Sequence, residues 1–191
     1  AGLVNGSAAA DAAPARGDGT RMTPRIHFTA SQAGPAQAAL ATLDRVAGVA
    51  AYTPTTSYPP TGLGRALQAV AGALATEVGT QVFWVQTGGY DTHARQGTGA
   101  GTLSFLLNTL NSGLFAFYTD LSNQGLLDQT LVLQFSEFGR RVSENGSAGT
   151  DHGAAGAAFL IGDQVKGGMY GEYPSAKPED LEQGDLVPNY D

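Results

Sequence analysis

Cysteine is absent from the 191-residue chain, and charged residues make up only 14% of it. The lack of thiols excludes disulfide bonds, thiol nucleophiles and cysteine-ligated zinc or iron–sulfur centres. Seventeen acidic residues against ten basic ones leave a formal net charge of -7. This charge argues against a nucleic-acid partner, because a phosphate backbone binds to a basic surface. The sequence also has no apolar run approaching the roughly 20 residues of a transmembrane helix. With 42% hydrophobic residues, the chain can build one sizeable core.

The first part of the chain, residues 1–51, is predicted to be an irregular arm followed by a short helix. Residues 1–20 are rich in Ala and Gly and lack apolar periodicity, which is typical of a loop. Residues 25–29 can form a short strand, and residues 36–46 have helix-forming composition. A start at Ala1 without a signal peptide predicts a processed or trimmed beginning.

The remaining residues, 52–191, have the alternation of helices and strands expected of an α/β domain. Apolar residues at three- and four-residue steps predict long helices at residues 63–78, with Gly79 as the stop, and at residues 103–121. Short continuous apolar runs, typical of strands buried on both faces of a parallel sheet, lie at residues 82–85, 130–135 and 157–161. The order of these elements predicts a right-handed crossover between parallel strands.

Two of the three histidines stand beside aspartates in Gly-rich loops that adjoin predicted strands. Asp91 and His93 follow one strand, and Asp151 and His152 precede another. Glu137 follows the strand between them, and the crossover would bring it to the same sheet edge as Asp91 and His93. Imidazole and carboxylate groups predict a site for a divalent metal, with Zn²⁺ as the first choice and Ca²⁺, Mg²⁺ or Mn²⁺ as alternatives.

Simpler interpretations of these residues stay open. Asp91 can form an Asx turn beside a surface His93, and Glu137 can pair with Arg140 or its neighbour. Asp151 can orient His152 rather than bind the metal. If a metal binds, Arg140 is a candidate catalytic residue, because its guanidinium can stabilise negative charge in a transition state.

Five short motifs together resemble a family of exported bacterial proteins of unknown function in the alkaline phosphatase and sulfatase superfamily. They are YPPTGLG at 58–64, GGYDTH at 88–93, FSEFGR at 135–140, GTDHG at 149–153 and VKGGMYG at 165–171. The resemblance implies an alkaline phosphatase-like sandwich with a mostly parallel sheet and helices on both faces, of which this chain would be an incomplete fragment. It also implies twin-arginine export to the periplasm or cell surface.

The same resemblance implies a role for individual residues. Asp91 and His93 would be the first metal ligands, Glu137 the carboxylate after the next strand, and His152 the last ligand. Phe138 stands where a His is expected beside that carboxylate, which puts a second metal site in question. Asp151 would compensate for part of it.

Two functions follow as expectations. The first is metal-dependent hydrolysis of an anionic phosphate or sulfate ester, with the nucleophile-bearing strand missing from this chain. The alternative is a catalytically degenerate structural or accessory subunit of a cell-envelope or surface assembly. In both cases other protein chains would complete or cover the open edges of the sheet.

Overall fold

The computed structural model describes residues 30–188, and the side chains of residues 37–188. The predicted loop at 1–20, the possible strand at 25–29 and His27 lie outside this part of the chain. The helices are α1 (Ala30–Ala50), α2 (Gly62–Ala75) and α3 (Thr102–Asn123), with short 3-10 turns at Leu127–Gln129 and Pro178–Asp180. The strands are β1 (Val132–Gln134), β2 (Gly139–Arg140), β3 (His152–Gly153) and β4 (Phe159–Ile161).

All three predicted helices form, and their ends follow from local chemistry. Helix α2 begins after Thr61, whose hydroxyl accepts a hydrogen bond of 3.0 Å from the Gly64 amide, an N-cap that satisfies one free donor. It ends at Ala75, one turn before the predicted stop at Gly79. Helix α3 ends just before Gly125, whose positive φ of 68° is the left-handed conformation that glycine adopts at low cost.

The core lies between α2 and α3, where the two apolar stripes meet. Its buried members are Leu63, Leu67, Ala71, Phe117, Leu121 and Leu127. A Cβ placed on Gly113 of α3 would lie 3.2 Å from the Leu63 side chain, so the absent side chain lets the two helices approach closely. Helix α1 packs against α2 from outside this core.

The irregular segment between α1 and α2 is held down by Asp120 of α3. This carboxylate is fully buried. It accepts hydrogen bonds from the Tyr52 hydroxyl at 2.7 Å, the Tyr58 hydroxyl at 2.9 Å, and both the amide and the hydroxyl of Thr55 at 2.8 Å. A segment with no regular structure of its own is thereby fixed on the helical core.

The strands of the described residues pair antiparallel, which differs from the predicted parallel sheet. Strand β1 pairs with β4, and β2 pairs with β3. Residues 82–85 are not a strand, and Trp84 is 74% exposed. Instead of joining a sheet, the Trp84 ring packs edge-on against Phe135 at a centroid distance of 5.7 Å. The predicted crossover between parallel strands is therefore wrong for residues 30–188.

Helices combined with small antiparallel sheets still place the described residues in a mixed α/β class. The predicted strands at 130–135 and 157–161 are present in shorter form as β1 and β4. Val132 of β1 packs on the helical core, while neighbouring apolar side chains of β1 point to solvent. None of the described helices combines the length and apolar character that crossing a bilayer requires.

Candidate metal centre

A short strand pair and two adjacent loops build the candidate metal centre. Arg140 of β2 is the register partner of His152 in β3, and directly opposed residues of a strand pair project to the same face. The loop at 90–96 runs beside the loop at 145–151. Backbone hydrogen bonds join them, from Arg95 to Ser147 at 3.0 Å, Gln96 to Ala148 at 2.9 Å and Thr150 to Thr92 at 3.2 Å.

Gly149 is the point where the two loops touch most closely. A Cβ on this buried residue would lie 2.3 Å from the carbonyl carbon of His93 and 2.5 Å from the carbonyl oxygen of Thr92. Only glycine permits that approach. The predicted GTDHG motif therefore has a structural role, since its first residue brings Asp151 and His152 within reach of the other loop.

Asp91 stands at the centre of the site. Its Oδ1 atom lies 2.7 Å from His152 Nε2, 3.0 Å from His93 Nε2 and 2.8 Å from an Arg140 terminal nitrogen. The ligand atoms of Asp91, His93 and His152 all lie within 4.8 Å of one another. Three of the five predicted metal ligands, which are separated by up to 61 positions, thus converge on one point.

Asp151 lies on the far side of His93 rather than on His152. Its Oδ1 atom is 3.1 Å from His93 Nδ1, and the Asn145 side-chain amide donates to the same oxygen at 2.9 Å. A carboxylate on the second nitrogen of a ligand imidazole fixes the ring orientation and the tautomer. The predicted contact of Asp151 with His152 is replaced by one with His93, and an orienting role for Asp151 stays a prediction.

The His93 ring therefore has a carboxylate oxygen at each nitrogen. A neutral imidazole carries only one N–H donor, so a lone pair would face a carboxylate on one side. Arg140 donates to the same Asp91 Oδ1 atom at 2.8 Å, so positive charge is already present on that side of the ring.

The electrostatics keep both carboxylates ionised at neutral pH. The hydrogen bond from His152 lowers the pKa of Asp91, and Arg140 adds to this effect. The hydrogen bond from Asn145 lowers the pKa of Asp151, and the contact with His93 adds to it. Ionised carboxylates are the form that ligates a metal.

Arg140 is engaged with the protein rather than turned toward solvent. One terminal nitrogen donates to Asp91 Oδ1 at 2.8 Å and to the Tyr90 carbonyl at 2.7 Å, and the other donates to the Thr150 carbonyl. Its side chain is 19% exposed. The guanidinium thus ties both loops to Asp91, and its role as a catalytic residue stays a prediction.

Phe138 packs flat on one of the candidate ligands. Its ring lies 4.0 Å from the His152 ring, centroid to centroid, at an interplanar angle of 7°, and the Arg140 guanidinium carbon is 4.8 Å from the Phe138 centroid. Where the family resemblance leads one to expect a histidine, the chain has a ring that ligates nothing and holds His152 by stacking.

Glu137 is placed away from this group. Its exposed side chain lies beside Ser136 at a shallow cleft of about 300 Å³ between residues 135–139 and 153–158. It is not among the described residues whose ligand atoms cluster with those of Asp91. Two-residue β2 begins just after it and redirects the chain, so that Arg140 rather than Glu137 faces Asp91.

The donor set of the cluster fits a divalent cation. Ligand atoms around a tetrahedral zinc with bonds of ~2.0–2.1 Å stand roughly 3.3 Å apart. The Asp91–His93 and Asp91–His152 distances of 3.0 and 2.7 Å are shorter than this spacing, so the side chains would move apart slightly around an ion. Two imidazoles and one carboxylate form a ligand set of catalytic zinc sites with an open position. The three side chains are about half exposed, so the cluster is open to solvent.

Two polar residues of the site were not predicted from the sequence. Asn145 links the two loops through His93 and Asp151. Gln96 accepts hydrogen bonds from the hydroxyls of Thr92 at 2.8 Å and Thr150 at 2.7 Å. The only sequence signal for Asn145 is its place in an Asn-Gly-Ser turn just before the GTDHG motif.

The model of a family described as protein of unknown function (DUF1501) matches residues 18–189. The chain therefore belongs to this family, which confirms the predicted membership in a family of unknown function. Comparisons with curated proteins and with solved structures gave no match.

Proposed function

We propose that the chain binds one divalent cation, with zinc as the first choice, through Asp91, His93 and His152, and that this centre serves the hydrolysis of phosphate or sulfate esters. The observation that supports the proposal is the convergence of these three side chains, with ligand atoms within 4.8 Å of one another. Carboxylate oxygens at both nitrogens of His93, from Asp91 at 3.0 Å and Asp151 at 3.1 Å, add to the negative charge that would hold a cation there.

A divalent cation held there would polarise a phosphoryl or sulfuryl oxygen as a Lewis acid. The residues of the chain have separate tasks in this proposal. Asp91 supplies negative charge to the ion, and Asp151 keeps the Nε2 lone pair of His93 directed at it. Arg140 braces Asp91 and adds positive potential that favours an anionic ester at the open side.

The proposal also includes the fold, the location and the nucleophile that the motifs suggest. Motif resemblance supports an alkaline phosphatase-like sandwich, export to the periplasm or cell surface, and a nucleophile supplied from outside the described residues. Glu137 is a ligand in this proposal only if its loop moves, since its side chain now lies at the neighbouring cleft. Calcium, magnesium or manganese would call for more oxygen ligands than the cluster provides, which favours zinc.

The test is metal analysis of the purified chain followed by hydrolysis assays with p-nitrophenyl phosphate and p-nitrophenyl sulfate. We expect close to one zinc per chain, lost in His93→Ala and in His152→Ala. Asp91→Asn should lose the metal as well, and Asp163→Asn, which changes an exposed carboxylate, is its matched control. Turnover that is the same in the wild type and both histidine variants would remove the hydrolase proposal, and absence of bound metal would remove the cation site.

An accessory role is the second candidate, and exposed apolar residues favour it. Leu133 and Leu160 face each other across β1 and β4, and both are exposed, as are the flanking Leu131 and Phe135. Apolar side chains on one face of a small sheet are typical of a surface that another chain covers. Stoichiometric zinc in the purified protein without turnover of any ester would favour this role.

A further inference from the structure

Asn145 uses the full hydrogen-bonding capacity of its side chain at the junction of the two loops. Its amide nitrogen donates to the His93 carbonyl at 2.9 Å and to Asp151 Oδ1 at 2.9 Å. Its amide oxygen accepts from the backbone N–H groups of Ser147 at 2.9 Å and Gly149 at 3.1 Å. A primary amide has two donors and two acceptor lone pairs, and all four are engaged.

The orientation of this amide is determined by its partners. Backbone N–H groups can only donate, so the side-chain oxygen must face Ser147 and Gly149. The amide nitrogen then necessarily faces the carbonyl of His93 and the carboxylate of Asp151, which can only accept. A flipped amide would lose all four hydrogen bonds, so the network specifies one arrangement.

Asn145 also influences the position of the His93 ring, through Asp151. Asp151 Oδ1 accepts from Asn145 and lies 3.1 Å from His93 Nδ1, so the Asn145 amide holds the oxygen in place for the imidazole. The same amide holds the His93 backbone through its carbonyl. Main chain and ring of one candidate ligand are thus both positioned from a single side chain.

We propose that Asn145 is a positioning residue that holds Asp151 against His93 Nδ1, which favours the His93 proton on that nitrogen and leaves Nε2 free to bind a cation. The part of this inference that concerns the cation rests on the proposed metal site, whereas the part that concerns the His93 tautomer does not. The inference also excludes glycosylation of the Asn145-Gly146-Ser147 triplet in the folded protein, because a glycan on the amide nitrogen would remove a donor that the network uses.

The sharpest variant is Asn145→Asp, which is nearly isosteric. It keeps the acceptor for the amides of Ser147 and Gly149, so the loop can retain its shape. It removes both donors and places a second carboxylate against Asp151, which pushes Asp151 away from His93. Asn145→Ala removes donors and acceptors together. Asn111→Asp, on an exposed position of α3, introduces the same charge elsewhere and serves as the control.

Two measurements decide the inference. Zinc titration of the metal-free chain should give affinities 10–100-fold weaker in both Asn145 variants, the usual effect of losing an orienting partner of a ligand, with Asn111→Asp unchanged. Nitrogen-15 NMR of the metal-free protein, above the pH at which the histidines are protonated, should show a smaller share of the Nδ1–H tautomer of His93 in Asn145→Asp than in the wild type.

The two proposals fail separately. A wild-type chain that takes up no zinc removes the proposed metal site, and the NMR measurement alone then decides the role of Asn145. An unchanged His93 tautomer in Asn145→Asp overturns the positioning role, whatever the zinc affinity. Amide hydrogen exchange at Ser147 and Gly149 verifies that the loop is intact in the variant, so that a tautomer shift is assigned to the lost donors.

Discussion

Replacement of Asp120 by alanine should cost more stability than any other single change of a charged residue within residues 37–188. Burial is the largest influence on this carboxyl and would raise its pKa, but hydrogen bonds from Tyr52, Thr55 and Tyr58 together lower the pKa below its ordinary value. The folded state therefore stabilises the ionised form. Alanine removes the acceptor for all of these donors and leaves the Thr55 amide and hydroxyl without their partner.

The expected loss in the free energy of unfolding is about 3–5 kcal/mol. Hydrogen bonds to a charged group contribute ~1.5–3 kcal/mol each, and a simple sum would overshoot, because Tyr52 and Tyr58 are only half buried and their hydroxyls can regain water. The variant leaves neutral donors rather than an unpaired charge, so the expected loss corresponds to about two of these hydrogen bonds. For a chain of this length each kcal/mol shifts the melting temperature by roughly 2–4 °C.

Urea unfolding followed by circular dichroism measures this loss. Asp128→Ala, at an exposed carboxylate in the neighbouring 3-10 turn, is the control and should stay within about 0.5 kcal/mol of the wild type. A loss below about 1 kcal/mol for Asp120→Ala would refute the reasoning, since it would mean that the segment before α2 is not anchored by this carboxylate.

Three further outcomes are expected. Gly149→Ala should lower stability by about 1–3 kcal/mol, typical of overpacking, and weaken zinc binding, because its Cβ would overlap the His93 backbone; unchanged values for both would contradict the close approach of the loops. Burial, followed by the hydrogen bond to Asp120, raises the pKa of Tyr52 to about 12. The protonated Tyr52 hydroxyl therefore stabilises the folded state fully below its unfolded pKa near 10, and this stabilisation is lost as the pH rises through about 12. The ionised Asp120 carboxylate depends on pH in the opposite sense: it stabilises the folded state above about pH 3.9, and this stabilisation is lost as the pH falls through its lowered folded pKa. The difference in free energy of unfolding between the wild type and Asp120→Ala should therefore be largest between these two pH limits. A difference that does not change with pH would contradict this prediction. Iodide should quench Trp84, the single tryptophan, almost as well as free indole, and protection of its fluorescence would indicate a buried strand instead.

Much of the helical structure could be predicted from the sequence, because amphipathic periodicity reports which face of a helix is buried. The Leu63 and Leu121 stripes do meet in the core. The convergence of Asp91 with His93 and His152 was also predicted, but through a parallel sheet that the described residues do not form. Loop geometry set by Gly149 and Asn145 brings these residues together instead. That geometry depends on hydrogen bonds between distant positions, which leave no periodic signal in the sequence.

The segment at 82–85 shows why composition alone does not determine pairing. Its apolar run is typical of a central parallel strand, yet a strand is stable only when neighbours satisfy its backbone N–H and C=O groups. Within residues 30–188 the antiparallel partner of β1 is β4, and Trp84 instead packs on Phe135 at the exposed face. If another chain, or residues outside this range, supplied a strand beside 82–85, Trp84 and Phe135 would become buried together. Iodide quenching of Trp84 in the chain alone and in the presence of a binding partner would therefore distinguish a segment that pairs with another strand from one that stays at the surface.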